Sequence, residues 1–368
     1  MTSTTSSDTR RPRLSPHYWR LWWANAISST GDGAFVAALP LLAVTISRDP
    51  RLVAVVTAAG FFPWMVLSLP AGALVDRHDR AALMWRAQAV LPDLVPPELL
   101  ARANGSQQVS LTVGETFLGP PAGSLLFAVA AALPFGLDAL SFAGSAALLA
   151  RLPRGSRAAG REAGQPQAAI RTQIAEGLRW LYRHRLLRVV AVLLGVFNFG
   201  NQMGQAVLVL LATQTLHVGT RGYGLLLAVT AVGSVAGGLV SPAVTRWLGL
   251  LPSLVIAGAA DAAVFIGLGL APDPAVAALM LAGQGFAVTM WNVVTVSLRQ
   301  QVVPARLLGR VNSVYRMLGW GLMPLGALAG GFVAHAAGLR APYVVAGLLC
   351  GLCLLAAVPL LLSARPGD

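Results

Sequence analysis

Polar positions in this chain fall in short clusters, and between them run apolar stretches of 17 to 26 residues. Ten such stretches can be marked: Leu21 to Val44, Leu52 to Val75, Val109 to Ala131, Pro134 to Ala150, Val189 to Leu211, Leu225 to Val244, Leu250 to Leu270, Val276 to Leu298, Val311 to Ala336 and Tyr343 to Leu362. A bilayer core takes about 20 apolar residues of helix to cross, so each reads as a spanning helix. No segment sustains an apolar/polar alternation, so strands are not indicated. The pattern predicts an all-α polytopic membrane protein of about ten transmembrane helices. Gly and Pro inside the spans are compatible with this, because neighbouring helices can satisfy the backbone groups they free.

The pattern also repeats. Val95-Pro96-Pro97-Glu98-Leu99-Leu100-Ala101-Arg102-Ala103-Asn104 recurs 208 positions later as Val303-Pro304-Ala305-Arg306-Leu307-Leu308-Gly309-Arg310-Val311-Asn312. Val75-Asp76-Arg77, at the end of the second span, recurs as Val244-Thr245-Arg246 at an offset of only 169. The first half is therefore 39 residues shorter than the second, which at about 20 residues per helix is close to two spans. Three regions follow: residues 1–150, an N-terminal transmembrane bundle of four helices; 151–188, an Arg-rich linker; and 189–368, a C-terminal bundle of six. In the linker, Ile170, Ile174, Leu178 and Leu181 recur at helical spacing with Arg171, Arg179 and Arg183 between them. That spacing predicts an amphipathic helix on the inner leaflet, bracing the halves.

Composition agrees, at 56% hydrophobic and 11% charged residues against about 25% charged in soluble domains. The net charge of +13 raises nucleic acid as a partner, but the Arg residues track the membrane. Arg48, Arg51, Arg221 and Arg340 fall on one side of the ten-span layout and the other 23 on the opposite side. By the positive-inside rule both termini and the linker are cytoplasmic, in a multi-pass protein of the cell membrane, and the expected partner is the lipid bilayer rather than nucleic acid. Losing an even number of helices preserves this orientation. All 27 basic residues are Arg, so lysine-dependent phosphate binding and Schiff-base chemistry are excluded. No cofactor is indicated. The five His are scattered and no nucleophile–base pair or metal cluster stands out, so an enzyme is not expected. Cys350-x-x-Cys353 lies inside the last span, where two small residues pack in a helix. The first span is too long for a cleavable signal, and Tyr18, Trp19, Trp22 and Trp23 anchor it at the interface.

Two motifs carry mechanism. After the second span the chain reads Gly72-Ala-Leu-Val-Asp76-Arg77-His78-Asp79-Arg80. A carboxylate and guanidinia at a helix end can bond the carbonyls and charges of neighbouring helix ends and so act as a conformational latch. The third span is preceded by Asn104-Gly105 and carries Gly114-Glu115-Thr116-Phe117-Leu118-Gly119-Pro120-Pro121-Ala122-Gly123, where Pro removes a helical hydrogen bond and the glycines admit a close neighbour. Gly-x-x-x-Asp-Arg-x-x-Arg resembles the loop signature of the major facilitator superfamily, with Asp79 where a second Gly is usual. Gly105, Gly114, Gly119, Pro120 and Gly123 resemble the antiporter motif of its proton-coupled exporters, with one extra residue between Gly114 and Gly119. The Val-Pro-x-x-Leu-Leu-x-Arg-x-Asn phrase is similar to the enterobactin- and macrolide-exporter branch.

The resemblance implies a major-facilitator-type two-bundle fold with alternating access, and efflux of small amphipathic organic substrates with protons as the coupling ion. It maps the ten spans onto helices 1, 2, 5, 6 and 7 to 12 of a twelve-helix fold, lacking helices 3 and 4. Gly72, Asp76, Arg77 and Arg80 become the cytoplasmic gating loop. An alternative is a chain that no longer transports: a remnant, a truncated gene model, or a membrane partner or sensor. Small-residue stripes at Gly233/Gly237 and Gly326/Gly330 read as helix packing.

Charges at membrane depth are functional candidates by default. Asp32, between Gly31 and Gly33, is the first choice for a proton- or substrate-linked carboxylate, with Glu115 and Asp261 as further candidates; each has a helix–helix hydrogen bond as its structural alternative. Asp138 is expected at the outer interface, and Arg316 to snorkel or pair with a carboxylate. Asn198, Asn201, Gln202 and Gln205 in one span, with Gln284, Trp291 and Asn292 in another, are candidate cavity linings suited to an amphipathic ligand, packing being the alternative.

Overall fold

The computed structural model describes residues 16–67, 95, 99–150 and 170–363, and among them every regular element is helical. α1 (Pro16–Ile46) turns at Asp49 into α2 (Pro50–Leu67). α3 (Leu100–Thr112) runs through a π turn, Val113–Leu118, into α4 (Gly119–Val129), and α5 (Leu133–Ala150) follows. The linker helix α6 (Ile170–Arg183) leads to α7 (Arg185–Leu210), which ends in a second π turn, Leu211–Thr215. Then come α8 (Thr220–Leu248), α9 (Leu250–Leu270), α10 (Pro274–Val302), α11 (Ala305–Gly321), α12 (Met323–Ala337) and α13 (Ala341–Ser363).

Seven helices among the described residues are long and apolar enough to cross a membrane, and Pro50–Gly60 and Leu133–Leu148 are shorter apolar helices. The continuous α3–π–α4 rod completes a layout matching the ten apolar stretches. The expected span from Val311 to Ala336 is present as Arg310–Ala337, with one turn residue at Leu322 where α11 passes into α12. Pro324 accounts for that turn, since it has no N–H to continue the ladder.

The two halves repeat their packing in part. α7 lies against α12 and α13 as α1 lies against α4 and α5. In the second half α8 pairs extensively with α10, and α9 with α13; no described helix of the first half covers α2 or α5 in the same way. Glycines set the second-half contacts: a Cβ at Gly237 would lie 2.9 Å from the Phe286 Cα of α10, and one at Gly330 2.8 Å from the Met203 Cα of α7. Both stripes are therefore packing surfaces.

Apolar clusters show where the halves meet. Leu41, Ala43 and Val53 of the first half share a core with Met203, Leu210, Leu216 and Leu226 of the second, and Ala54 and Ala58 share another with Ala206 and Ala327. At the opposite end each half keeps its own core: Tyr18, Leu21, Val95 and Ala103 in the first, and a cluster including Leu187, Val311 and Tyr315 in the second. The halves are thus joined at the end carrying the α1–α2 turn. Among the described residues α6 docks on α11. Arg310 pairs with Glu176, Gly177 abuts the Arg310 backbone, and Leu181 enters the second-half core.

Candidate functional site

Asp32 sits half-buried near the middle of α1, and the glycines on either side of it explain its surroundings. A Cβ at Gly31 would strike the Ser141 side chain and lie 2.9 Å from Asp138 Oδ1 on α5; one at Gly33 would lie 2.7 Å from the Glu115 carbonyl oxygen. The Gly-Asp-Gly triplet therefore lets α1 be gripped from two sides, by α5 and by the π turn, with the carboxylate between them. Gly31 and Gly33 thereby bring α1 at Asp32 against Asp138 of α5 and the Glu115 backbone of the π turn. Asp138 is not at an isolated interface: its Oδ1 is buried and has no hydrogen-bond partner among the described residues. Glu115 presents an exposed side chain on the π turn.

The same glycines account for the extra residue in the motif. A π turn holds one residue more than the α-helix it interrupts, and here the Gly119 N–H donates to the Gly114 carbonyl, five residues back. The insertion is absorbed locally, and Gly114, Gly119 and Gly123 all face α1. Their Cβ positions lie 2.9 Å from Ser29 Cβ, 2.5 Å from Gly33 Cα and 2.6 Å from Ala34 Cα, respectively. Gly105 lies in α3, ahead of this contact. Near Asn104, Tyr18 donates to the Ala103 carbonyl (3.1 Å) and Asn25 to Gln107 Oε1 (2.6 Å), fixing α1 against α3.

A second cluster forms in the C-terminal half. Phe197, Asn198 and Asn201 of α7, Asp261 of α9, and Val288, Trp291 and Asn292 of α10 line a cavity of about 30 Å³. Phe197 and Trp291 stack with ring centroids 4.6 Å apart, and Gly258, one turn before Asp261, seats both ring edges. Asn198 donates from Nδ2 to the Gly319 carbonyl at 3.2 Å. The structure thus brings together Asn198, Asn201, Trp291 and Asn292 from the expected lining and adds Asp261. Gln202, Gln205 and Gln284 do not line this cavity; Gln202 and Gln284 are buried elsewhere. The gating-loop residues Gly72, Asp76, Arg77 and Arg80 lie outside the described residues. Of Arg316, only its place on α11 is described.

The joined end of the halves has its own polar group. Arg51 donates from Nη2 to Asp49 Oδ2 at 2.8 Å, and His335 Nδ1 of α12 approaches Asp49 Oδ1 at 3.7 Å. Hydrogen bonds from Arg51 hold the Asp49 carboxyl down at about 2. Beside them α12 meets α2 backbone to backbone: a Cβ at Gly331 would lie 2.8 Å from the Pro50 carbonyl oxygen. On the other flank, one at Gly224 of α8 would lie 2.8 Å from Ser124 Cβ of α4.

Comparison with known proteins places this arrangement. The family model described as "Transmembrane secretion effector" matches residues 11–120 and 84–366. Uncharacterised MFS-type transporters of Mycobacterium bovis and Mycobacterium tuberculosis are each 33% identical over 128 residues, 34% of this chain and 29% of the relative. The matched stretch thus spans under a third of those relatives. Among solved structures, a bacterial homologue of the iron transporter ferroportin in its inward-facing state superposes with a TM-score of 0.66 at 14% identity, covering 94% of this chain and 99% of that one. A D-xylose–proton symporter gives 0.64 at 14% identity, covering 92% and 95%. A POT family transporter in complex with 5-aminolevulinic acid gives 0.68 at 11% identity, covering 96% and 98%. At these identities the likeness is one of fold.

Proposed function

The chain belongs to the transmembrane secretion effector family of MFS-type transporters, and from that premise we propose that it exports small amphipathic organic compounds in exchange for protons. The observation that carries this reading is the position of Asp32, half-buried at mid-helix between two glycines that abut Asp138 of α5 and Glu115 of the π turn. An ionisable group at membrane depth is costly unless it works, and a carboxylate shielded from water but reachable from the transport route is suited to take up and release a proton. The glycines of the antiporter-like segment support the same assignment, since the close approach they allow sets the Glu115 backbone against Gly33, the residue next to Asp32. Glu115 and Asp138 are proposed to tune Asp32 rather than to replace it.

The joined end and the separate cores at the other end support an inward-open resting state in the cell membrane, with both termini and the Gly72 to Arg80 gating loop on the cytoplasmic side. Alternation then requires the α2–α12 and α4–α8 contacts to part. Proton-driven accumulation of a panel of lipophilic dyes in inverted vesicles tests the proposal. The wild type is expected to accumulate dye when the lumen is acidified and to lose it on addition of a protonophore, and Asp32→Asn to abolish the proton-dependent component. Equal proton-dependent accumulation by Asp32→Asn and wild type refutes Asp32 as the coupling group, and no accumulation of any compound by wild type refutes export.

A further inference from the structure

Asp261 lies in the other bundle from the coupling cluster, and its surroundings differ. It is only 3% exposed, its Oδ1 is buried without a hydrogen-bond partner among the described residues, and so is the Trp291 indole nitrogen that shares its cavity. A bare carboxylate in such a place costs several kcal/mol unless its charge is met. Among the described residues nothing meets it: no Arg or His lines the cavity, and the titratable group facing Asp261 from the packed helices is the Cys350 thiol of α13, with Cys353 behind it. The arginines of α7, α8 and α10 sit toward the helix ends, and α13 carries none. The compensating positive charge must therefore come from solution.

The cavity is built to receive one. Its volume of about 30 Å³ holds about two waters or one small ion. One carboxylate neutralises a single charge, and side-chain amides of Asn198, Asn201 and Asn292 offer the oxygen ligands that hard cations take. Asn198 commits its Nδ2 to the Gly319 carbonyl, which leaves its Oδ1 as an acceptor. The Trp291 N–H, a donor only, is placed to orient a water shared with the ion. Asn292 is exposed while Asp261 is buried, so the seat opens at Asn292 and closes on the carboxylate.

We propose that Asp261, with Asn198, Asn201, Asn292 and Trp291, forms a seat for one exchangeable positive charge, filled by either a proton or a sodium-sized monovalent cation. The seat is independent of Asp32 and of the direction of transport. Its test uses the purified full chain in detergent, with thermal midpoints measured between pH 5 and 9 in sodium chloride or choline chloride at equal ionic strength, and with proton release on sodium addition followed by a pH dye.

For wild type in choline, the midpoint falls as pH rises and the carboxyl loses its proton. If sodium shares the seat, sodium restores the midpoint at high pH and releases up to one proton per chain at intermediate pH; if only the proton does, the pH response is present and sodium has no effect. In either case Asp261→Asn removes the response. Trp291→Phe, which keeps the stack on Phe197 and deletes the N–H, weakens the apparent sodium or proton affinity by about three- to tenfold, the worth of one hydrogen bond. It also keeps the test valid should Asp261→Asn misfold. Wild-type curves that coincide with both variants in pH and sodium dependence overturn the proposal.

Discussion

One methyl group added at Gly119 measures how closely α1 and α4 must approach to hold Asp32 in place. The Cβ of Gly119→Ala would lie 2.5 Å from Gly33 Cα, 2.8 Å from Gly33 C and 2.8 Å from the Gly114 carbonyl oxygen. Carbon atoms in contact rest at about 3.5 to 4.0 Å, so the two helices must part by about 1 Å. All three atoms are backbone, and no rotamer change relieves them. Overpacking of this kind costs about 1–3 kcal/mol. Alanine also brings a helix-propensity gain of nearly 1 kcal/mol over glycine, which would mask part of the effect. Gly136→Ala on α5 supplies the correction, because nothing lies within 4 Å of its Cβ position. The difference between the two variants isolates the clash. At about 2–4 °C per kcal/mol, Gly119→Ala should melt roughly 3–10 °C below Gly136→Ala in a detergent thermal-unfolding assay. Coincident midpoints would refute the α1–α4 register, and with it the account of how the motif glycines serve Asp32.

Two further outcomes follow from the joined end. Asp49 titrates at about 2 because Arg51 bonds its ionised form, below the unfolded value of about 3.9; its stabilising contribution is therefore present above about pH 4 and lost as pH falls towards 2. Arg51→Ala should return the Asp49 carboxyl towards 4, read by carboxyl-carbon NMR, and a titration still near 2 would show that Arg51 is not the cause. Ser124→Cys with Gly224→Cys, in a background where Cys350 and Cys353 are alanine, should form a disulfide once α4 and α8 ease apart by under about 1 Å to the usual Cβ separation. Proton-dependent dye accumulation should then stop on oxidation and return with reductant; transport by the fully oxidised protein would show that this contact does not need to open.

Spans, duplication and the motif glycines were legible in the sequence because each rests on local spacing: apolar run length, a repeated phrase, a Gly-x-x-x-Gly period. Even the extra residue between Gly114 and Gly119 was visible as an irregularity, though only the backbone shows it as a π turn that keeps Gly119 and Gly123 in register with α1. Asp138 was assigned to the interface because depth was counted along its own span. Its partnership with Asp32 arises from the approach of α5 at Gly31, a contact between residues more than 100 positions apart. The Asp261 seat was hidden for the same reason. Phe197, Asp261 and Trp291 belong to three helices, and no single helical period contains them. Gln202, Gln205 and Gln284, by contrast, looked equivalent to the asparagines in composition, yet α7 and α10 turn them away from the cavity.

The shorter first half bears on function through which contacts it leaves untouched. On the mapping proposed from the repeat, the two absent spans correspond to α9 and α10 of the second half. Neither α9 nor α10 makes an extensive contact with the described residues of the first half; α10 packs on α8 and α9, and α9 on α13. The joined end is built instead from α1, α2 and α4 meeting α7, α8 and α12, all of which have counterparts in both copies. The proposed rocking motion needs the surface on which the halves pivot, and the described contacts supply it. On that mapping the proposed absent pair would cover the flank of α2 and the flank of α5, the latter carrying Gly136 and Gly144 with open space at both Cβ positions. On that proposed mapping the deficit would fall on the walls of the first bundle rather than on the joined end, and Asp32 is gripped by α5 and the π turn without it.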